Sequence, residues 1–340
     1  MRTEPLGSTR PAATSEPRQP DAPARHTTVD ISVKGRWATL PALQVGGTNI
    51  IVRGRWLRIA SIHDEPWIER EIDDPERCVQ ALRRLGVGGR RADIFTFAQR
   101  LPATTPNYRY PLEWENLAVA RLPTYASWWE KLPRESRWNV RRAARCGVAL
   151  TVRDLDDDLI GGIVELNNDD RIRQGVPFYH YGKTFEEVRR DQSVYLERSE
   201  FICAHLHGEL IGFLKLVYCD RFGVVIQALT KHNRRAERPA NALIARAVER
   251  CVDRGLPYLV HGKYRYGNQP DTSLMEFKRR NGFEPVLVPR FYVPLTRKGA
   301  LGMALRLHRD RVSTLPRPAI AVGRSVRAAW HALRTRDERG

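Results

Sequence analysis

Three arginines, Arg234, Arg235 and Arg238, stand just ahead of a segment with helical period that opens at Pro239. A basic loop feeding a helix is a ready anion site, because the free N–H groups and the dipole at a helix start favour phosphate. Asn241 falls in the first turn of that helix. A second dense run, residues 167–183, holds Asp169, Asp170, Arg173, Gln174, Tyr179, His180, Tyr181 and Lys183, with Gly175 and Pro177 to re-aim the backbone. Paired carboxylates suit ammonium binding or proton removal, and a histidine titrates near neutral pH. An ordinary surface loop with aromatic anchors has the same composition, so on residues alone both readings stand. Lys215 interrupts the apolar run Ile211–Val217, where an inward-pointing charge needs a partner. Gln227 lies on the next apolar run, and Tyr264 and Tyr266 share the segment His261–Gly267.

These residues need elements to hold them. Phe201–Leu206 and Glu209–Tyr218 read as a hairpin around His207-Gly208, and Val224–Thr230 as a third strand. Pro239–Arg254 reads as a helix with Pro at its start and Gly255 past its end, followed by a strand at Pro257–His261. Thr272–Arg280 reads as a helix closed by Asn281-Gly282, and Val286–Leu295 as the last strand. The first half shows alternation at Asp30–Leu40 and Asn49–Ile62 around a Gly46-Gly47 turn, a helix at Pro75–Leu85, and strands at Ile94–Ala98 and Leu117–Leu122. Between the halves, Pro133–Cys146 reads as a helix with Pro133 at its first position and Gly147 after its end. Arg134, Arg137, Arg141 and Arg145 form one stripe on it, which by itself is the solvated face of a connecting helix.

The order of elements in residues 201–283, ending in Phe277-Lys278-Arg279-Arg280-Asn281-Gly282-Phe283, resembles the GNAT acyltransferase superfamily. The string Ser136-Arg137-Trp138-Asn139-Val140-Arg141-Arg142-Ala143-Ala144-Arg145-Cys146-Gly147-Val148 resembles the signature of Fem-type peptidoglycan aminoacyltransferases, and is similar to that of FemAB-like and BioF2-like acyltransferase domains. Together the two resemblances span residues 28–300. They imply an α/β (α+β) fold of two GNAT-like units with mixed, mainly antiparallel sheets flanked by helices. The expected organisation is a disordered tail at 1–27, a first unit at 28–149 that includes the basic helix 133–147, an acyltransferase unit at 150–296, and a basic helical tail at 297–340.

The resemblance also implies an activity: N-acyl transfer to an amine of a small molecule or a cell-envelope precursor. Tyr264 and Tyr266 then become candidates for the acid that protonates the leaving group, and Asp169 and His180 for the base. Arg234, Arg235, Arg238, Asn241 and Gln227 would border the donor. Asp170, Arg173, Gln174, Tyr179, Tyr181, Lys183 and Lys215 would face the acceptor. The expected co-substrate is acyl-CoA, acetyl-CoA in the simplest case, with no metal. One departure bears on this: residues 231–240 contain no glycine, whereas GNAT enzymes that use acetyl-CoA carry a glycine-rich loop there. Fem-type enzymes also lack that loop and take an aminoacyl group from tRNA, so aminoacyl-tRNA stands as an alternative donor. A catalytically inactive basic module that binds a membrane surface or nucleic acid is the third reading.

Composition sets the outer limits. The chain has 340 residues, 42% of them hydrophobic, with 57 basic against 39 acidic residues for a net +18, which agrees with a phosphate-rich or membrane-surface partner. No apolar run approaches the ~18 residues of a spanning helix, and the N-terminus lacks the apolar core of a secretory signal. Five scattered cysteines without a CxxC pair indicate neither a disulfide framework nor a zinc cluster, and point to a reducing cytoplasm. Gly182-Lys183-Thr184 lacks the first glycine of a phosphate-binding loop, since Pro177 stands there. Gly86-Val87-Gly88-Gly89 lacks the third glycine of a dinucleotide fingerprint, His205 and His207 have no third ligand near in sequence, and no Gly-x-Ser-x-Gly elbow occurs. Residues 297–340 carry eleven basic and three acidic residues, and Leu301–His308 and Ala319–Leu333 each read as a helix, the second with spacing that suits a peripheral membrane helix or, more simply, a helix packed on the protein body with a solvated basic face.

Overall fold

The computed structural model describes residues 23–33, 36–67, 71–72, 74–173, 176–265 and 272–309. The first half supplies β1 (Arg25–Val33), β2 (Arg36–Val45), β3 (Thr48–Arg53), β4 (Ile59–Ile62), α1 (Pro75–Leu85), β5 (Ile94–Ala98) and β6 (Leu112–Arg121). Two helices follow, α2 (Tyr125–Lys131) and α3 (Arg134–Arg145). The second half supplies β7 (Ala149–Arg153), α4 (Asp157–Asn168), the two-residue strands β8 (Ile172–Arg173) and β9 (Val176–Pro177), α5 (Phe185–Gln192), β10 (Ser199–Leu206), β11 (Glu209–Tyr218) and β12 (Phe222–Thr230). It ends in α6 (Pro239–Asp253), β13 (Tyr258–Lys263), α7 (Ser273–Arg280), β14 (Glu284–Pro294) and α8 (Arg297–Ala304).

Twelve of these strands form one sheet, in the order β1-β2-β3-β4-β5-β14-β6-β13-β12-β11-β10-β7. The order is symmetric about its centre. Each half contributes five strands outward from the middle, and in each the fourth and fifth are a parallel pair joined through a helix: β4-α1-β5 and β12-α6-β13. The sixth strand of each half crosses over. β14 lies between β5 and β6, and β6 lies between β14 and β13, with every central pairing antiparallel. The sequence predicts two units with a sheet each; the exchange of last strands fuses them into a single sheet.

Side chains alternate between the two faces of a strand, and the register fixes which helices share a face. Phe291 on β14 packs with α1, and Ala118 and Ala120 on β6 pack with α6; paired residues of these two strands put both on one face, the back. There α1 covers Leu43, Ile50, Phe95 and Phe97, while α2, α3 and α6 cover Ile202, Leu214, Leu216, Val225 and Leu259. On the front, α4 and α5 cover Phe201, Cys203, Phe213 and Leu229, and a smaller apolar group, Val119, Phe222, Val224, Val260 and Val288, lines the centre. Among the described residues the first half has no counterpart of α4 and α5. Instead α5 reaches across to it: Trp37 Nε1 donates to Asp191 at 2.8 Å, Arg190 meets Asp30 at 3.2 Å, and Tyr195 donates to Asp64.

Several elements differ from the sequence reading. Asp30–Leu40 is two antiparallel arms, with Asp30 opposite Thr39, because alternation alone does not mark where one strand ends and the next begins. Asn49–Ile62 is also two strands, parted at Gly54, whose φ of +100° and approach to the Leu57 carbonyl leave no room for a Cβ. β1 begins at Arg25, inside the expected disordered tail, and residues 1–22 lie outside the described residues. Pro133 is the cap of α3 and not its first helical residue. α8 starts at Arg297, four residues ahead of the expected helix. The sequence reading passed over α5, although Thr184 and Glu187 form a capping box at its start. Residues 319–333 lie outside the described residues.

One polar cluster clamps α6 to the sheet. Glu200 on β10 accepts from Arg250 Nε and Nη2, both at 2.9 Å, from Arg254 Nη2 at 2.5 Å and from the Tyr218 hydroxyl at 2.6 Å. Burial alone would raise the Glu200 carboxyl; its hydrogen bonds from Arg250, Tyr218 and Arg254 overrule that and bring it to about 2. Its unfolded value is about 4.3, so the stabilisation is complete above that pH and is lost as acid carries the carboxyl through its folded value. Glu200→Gln is therefore expected to cost on the order of 2 kcal/mol at pH 7 and to weaken the loss of stability toward pH 2. Urea unfolding of both proteins at pH 7, 4 and 2.5 checks this. An equally steep acid loss in the variant would place the effect elsewhere.

Candidate functional site

The site begins where β12 and β13 part. They pair at only three positions, Phe222 with Tyr258, Gly223 with Leu259 and Val224 with Val260. Past that point each strand bulges against its other neighbour. Ile226 is the extra residue on β12, between Val225 opposite Leu216 and Gln227 opposite Lys215. On β13 the register with β6 jumps between Val260 and Lys263, and Gly262 takes φ +60°, a conformation that favours glycine. Bulges turn a strand away from its line. Two of them on adjoining parallel strands open a gap in the middle of the sheet.

On the back, α6 packs across β12 and β13. Arg238, at φ +59°, precedes Pro239, and no side chain caps the helix start. The preceding residues His232–Glu237 form a 3-10 turn. On the front, the gap meets a cavity of about 240 Å³. Leu101, Leu117, Phe222, Val224, Val260 and Val288 give it apolar walls, and Glu65, Arg100, Glu115, Lys263 and Arg290 line it with charge. Gly262, beyond the last paired residue of β13, lies on its wall.

The charges are tightly ordered. Arg290, on the exchanged strand β14, reaches Glu65 at 2.6 Å and Glu115 at 2.8 Å through Nη2, and donates again to Glu115 through Nε at 2.9 Å. Lys263 Nζ meets the other oxygen of Glu115 at 2.7 Å. Glu65 also accepts the Ala98 N–H at 2.7 Å. Burial works to raise the Glu115 carboxyl, but Arg290 and Lys263 beside it hold it below the usual glutamate range. Burial likewise disfavours the Arg290 charge, and the two carboxylates more than restore it. Arg100 donates to the Glu65 carbonyl at 2.5 Å and stacks 4.7 Å over the Phe222 ring. His261 stands at the parting of the strands with its ring 5.6 Å from Phe283; burial, helped by Lys278, depresses it to about 3, so it is neutral at physiological pH.

The residues singled out in the sequence fall into four places. Asp169, Asp170, Arg173 and Arg234 gather at the end of β12. Asp169 accepts the His232 N–H at 2.6 Å, Asp170 lies 3.4 Å from the His232 ring, and Arg173 donates to the Thr230 carbonyl at 3.1 Å. Arg234 meets Glu209 at 3.0 Å, while Arg235 and Arg238 are exposed. His180 and Lys183 both face Asp191, against Trp37, and Tyr179 stacks 4.1 Å from His180; Tyr179 and Tyr181 are exposed. Lys215 is fully buried and donates to the carbonyls of Gln192 and Val194, each at 2.6 Å, and burial lowers it to about 8. Beside it Gln227 accepts from Gln192 at 2.8 Å. Tyr264 packs on the back with the α6 cluster, and Asn241 donates to Asn281 at 3.0 Å. Tyr266 and Gln174 lie outside the described residues.

The cavity's own charges were not foreseen. A signal existed: Glu115 precedes Leu117 and Val119 at a spacing of two, and Arg290 follows Val286 and Val288 likewise. Each puts a charge beside apolar residues on the same strand face. Only the exchange of strands brings the two together.

No protein-family model matches the sequence, and no curated protein does. Solved structures are similar at the level of fold. A conserved protein of unknown function from Bacteroides thetaiotaomicron is 10% identical, with a TM-score of 0.50, over 79% of this chain and 86% of that one. FemX is 10% identical with a TM-score of 0.48, over 83% of this chain and 90% of that one. L-PGS from Bacillus licheniformis is 12% identical with a TM-score of 0.49, over 78% and 85%. What is shared is the fold alone: a mixed sheet flanked by helices.

The buried charges yield a stability prediction. Arg290→Met leaves Glu65 and Glu115 without their shared guanidinium, and removing one partner of a buried ionic group costs about 3–5 kcal/mol. Adding Glu65→Gln and Glu115→Gln to the same chain is expected to recover most of that loss. Chemical denaturation of the single and triple variants reads both effects; a triple variant no more stable than the single would show that Arg290 acts by packing and not by charge.

Proposed function

We propose that this chain is an acyltransferase that moves an acyl group onto an amine, with the acceptor in the front cavity and the donor's carbonyl reaching it through the gap between β12 and β13. The observation that carries this reading is the cavity at the parting of β12 and β13, walled by Val224, Val260 and Gly262 and charged by Glu65, Glu115 and Arg290. In the reaction the amine nitrogen bonds to the acyl carbon, the bond from that carbon to the donor's sulfur or oxygen breaks, and a proton passes from nitrogen to the solvent or a base. Glu115, held anionic by Arg290 and Lys263, suits the task of holding an ammonium group, with Glu65 beside it on the same guanidinium. The same depressed basicity makes Glu115 a poor proton acceptor. Asp169 and His180 remain candidates for the base, although each is engaged in this state, with His232 and Asp191. Tyr264, on the α6 side, is the candidate that returns a proton to the leaving group. Tyr266 keeps that candidacy from sequence alone.

The donor in this reading is an acyl-CoA, whose phosphates Arg235 and Arg238 can meet at the helix start. A second reading, aminoacyl-tRNA, is favoured by one specific observation. The glycine-free turn at residues 232–237 is already fastened, by Asp169 to the His232 N–H and by Arg142 to the Ala236 carbonyl at 2.8 Å, and it does not offer the bare backbone that wraps a pyrophosphate. The acceptor is an amine of a small molecule or of an envelope precursor. Gln227 and Lys215 shape the neighbouring wall through Gln192.

Thermal unfolding with coenzyme A, acetyl-CoA, longer acyl-CoAs and an aminoacyl-tRNA separates the donors. A ligand at about 100 times its Kd stabilises by about 2.7 kcal/mol, so the true donor gives a clear rise in Tm. With that donor, Glu115→Gln is expected to reduce kcat/KM for the amine by about 10²–10³ while the Tm shift with donor persists. Full activity in the variant would remove the cavity from the acceptor role. No shift with any donor and no turnover would leave a protein that only binds.

A further inference from the structure

Soluble helices bury their large apolar side chains and expose their small or polar ones. α8 does the reverse. Gly299 and Gly302 face the protein so closely that a Cβ on Gly299 would lie 1.9 Å from the Asp93 carbonyl oxygen, and one on Gly302 would lie 2.8 Å from Leu57. Leu301 faces outward at 57% exposure, and Leu305, one turn on, at 59%. Across a shallow groove from Leu305 and Leu307 lies Trp56, itself 59% exposed. Four of the ten large apolar side chains exposed among the described residues therefore belong to one surface.

The rim of this surface is basic. Arg55, Arg306 and Arg309 line the groove, and Arg297 and Lys298 are exposed on α8. Lys298 Nζ sits 4.9 Å over the Trp56 ring. The acids that touch this surface are tied up: Asp93 with Lys298 at 3.6 Å and Thr296 at 2.9 Å, and Glu113 with Arg309 at 2.7 Å and His308 at 3.0 Å. The presentation is also firm, since Thr296 caps α8 by accepting the Gly299 N–H at 3.0 Å.

We propose that the surface formed by Trp56, Leu301, Leu305 and Leu307 docks this protein on an anionic lipid bilayer. Leucines and a tryptophan enter the boundary between headgroups and acyl chains, while the surrounding arginines and Lys298 pair with lipid phosphates. Charge and chemistry argue against two other occupants. A nucleic acid would satisfy the arginines but gives exposed leucines nothing to bury against. Residues 310–340 of this chain carry seven arginines against three acidic residues, so they share the sign of the surface they would have to cover and add to its attraction for anionic lipid. The proposal is independent of the acyl-transfer reading and stands or falls without it.

The test is flotation of the full chain with vesicles of phosphatidylcholine alone and with phosphatidylglycerol added, alongside an unrelated tRNA as competitor. Binding to the mixed vesicles is expected, with little to phosphatidylcholine. The triple variant Trp56→Gln, Leu305→Gln, Leu307→Gln and the charge variant Arg55→Glu, Arg306→Glu should each bind about tenfold more weakly or worse, with circular dichroism and Tm of wild type. These side chains are exposed, so the fold does not depend on them. Wild-type affinity in both variants, failure of the wild type to float with anionic vesicles, or full displacement by tRNA would each overturn the proposal.

Discussion

A single guanidinium from the last strand of the sheet holds two carboxylates contributed by the first half of the chain. Without Arg290, Glu65 and Glu115 would share the cavity wall with no guanidinium between them. With it, Glu115 is held below the usual glutamate range, and Lys263 completes the balance on it. The cavity is thus charged and dry-walled at once. That state depends on β14 lying between β5 and β6, which brings Arg290 within reach of both acids.

The same arrangement explains why the gap in the sheet does not weaken the rest. β12 and β13 are each secured on their far sides, to β11 and to β6. The bulges at Ile226 and at His261-Gly262 concentrate the departure from regular pairing at one place. Lys215 and Gln192 brace the front beside it, and Trp128 Nε1, donating to the Asn281 carbonyl at 3.3 Å, braces the back. Gly282, at φ +79° with a Cβ position 2.7 Å from that indole nitrogen, shows why the close of α7 is a glycine.

Local structure was largely legible in the sequence. The period of α6, the Pro239 and Gly255 that bound it, and the hairpin about His207-Gly208 all lie where the pattern predicts. What could not be read locally was partnership. The alternation in β6 and β14 marks them as strands but says nothing of which strands flank them, and so Glu115 and Arg290, far apart in sequence, were not recognised as a pair. The aromatic-rich loop was recognised as special by its composition, yet most of its polar groups are spent on fastening it: Asp169 to His232, Arg173 to Thr230, Lys183 to Asp191. Composition reveals that polar groups are concentrated, not whether they are satisfied by one another.

The crossed sixth strands also set an order of events during synthesis. Until residue 294 has left the ribosome, β5 and β6 are without the strand that lies between them, and until β13 is made β6 has neither of its eventual neighbours. The nascent first half therefore carries open strand edges from the completion of β6 until β14 is made, the condition under which edge pairing with another chain is most dangerous. Polar and charged groups on those strands, Glu113, Glu115 and Asn116 among them, make the waiting edge a poor partner for a second copy of itself. The last strand to be made is the one that closes the sheet, so a chain interrupted anywhere before it yields no partial version of the cavity.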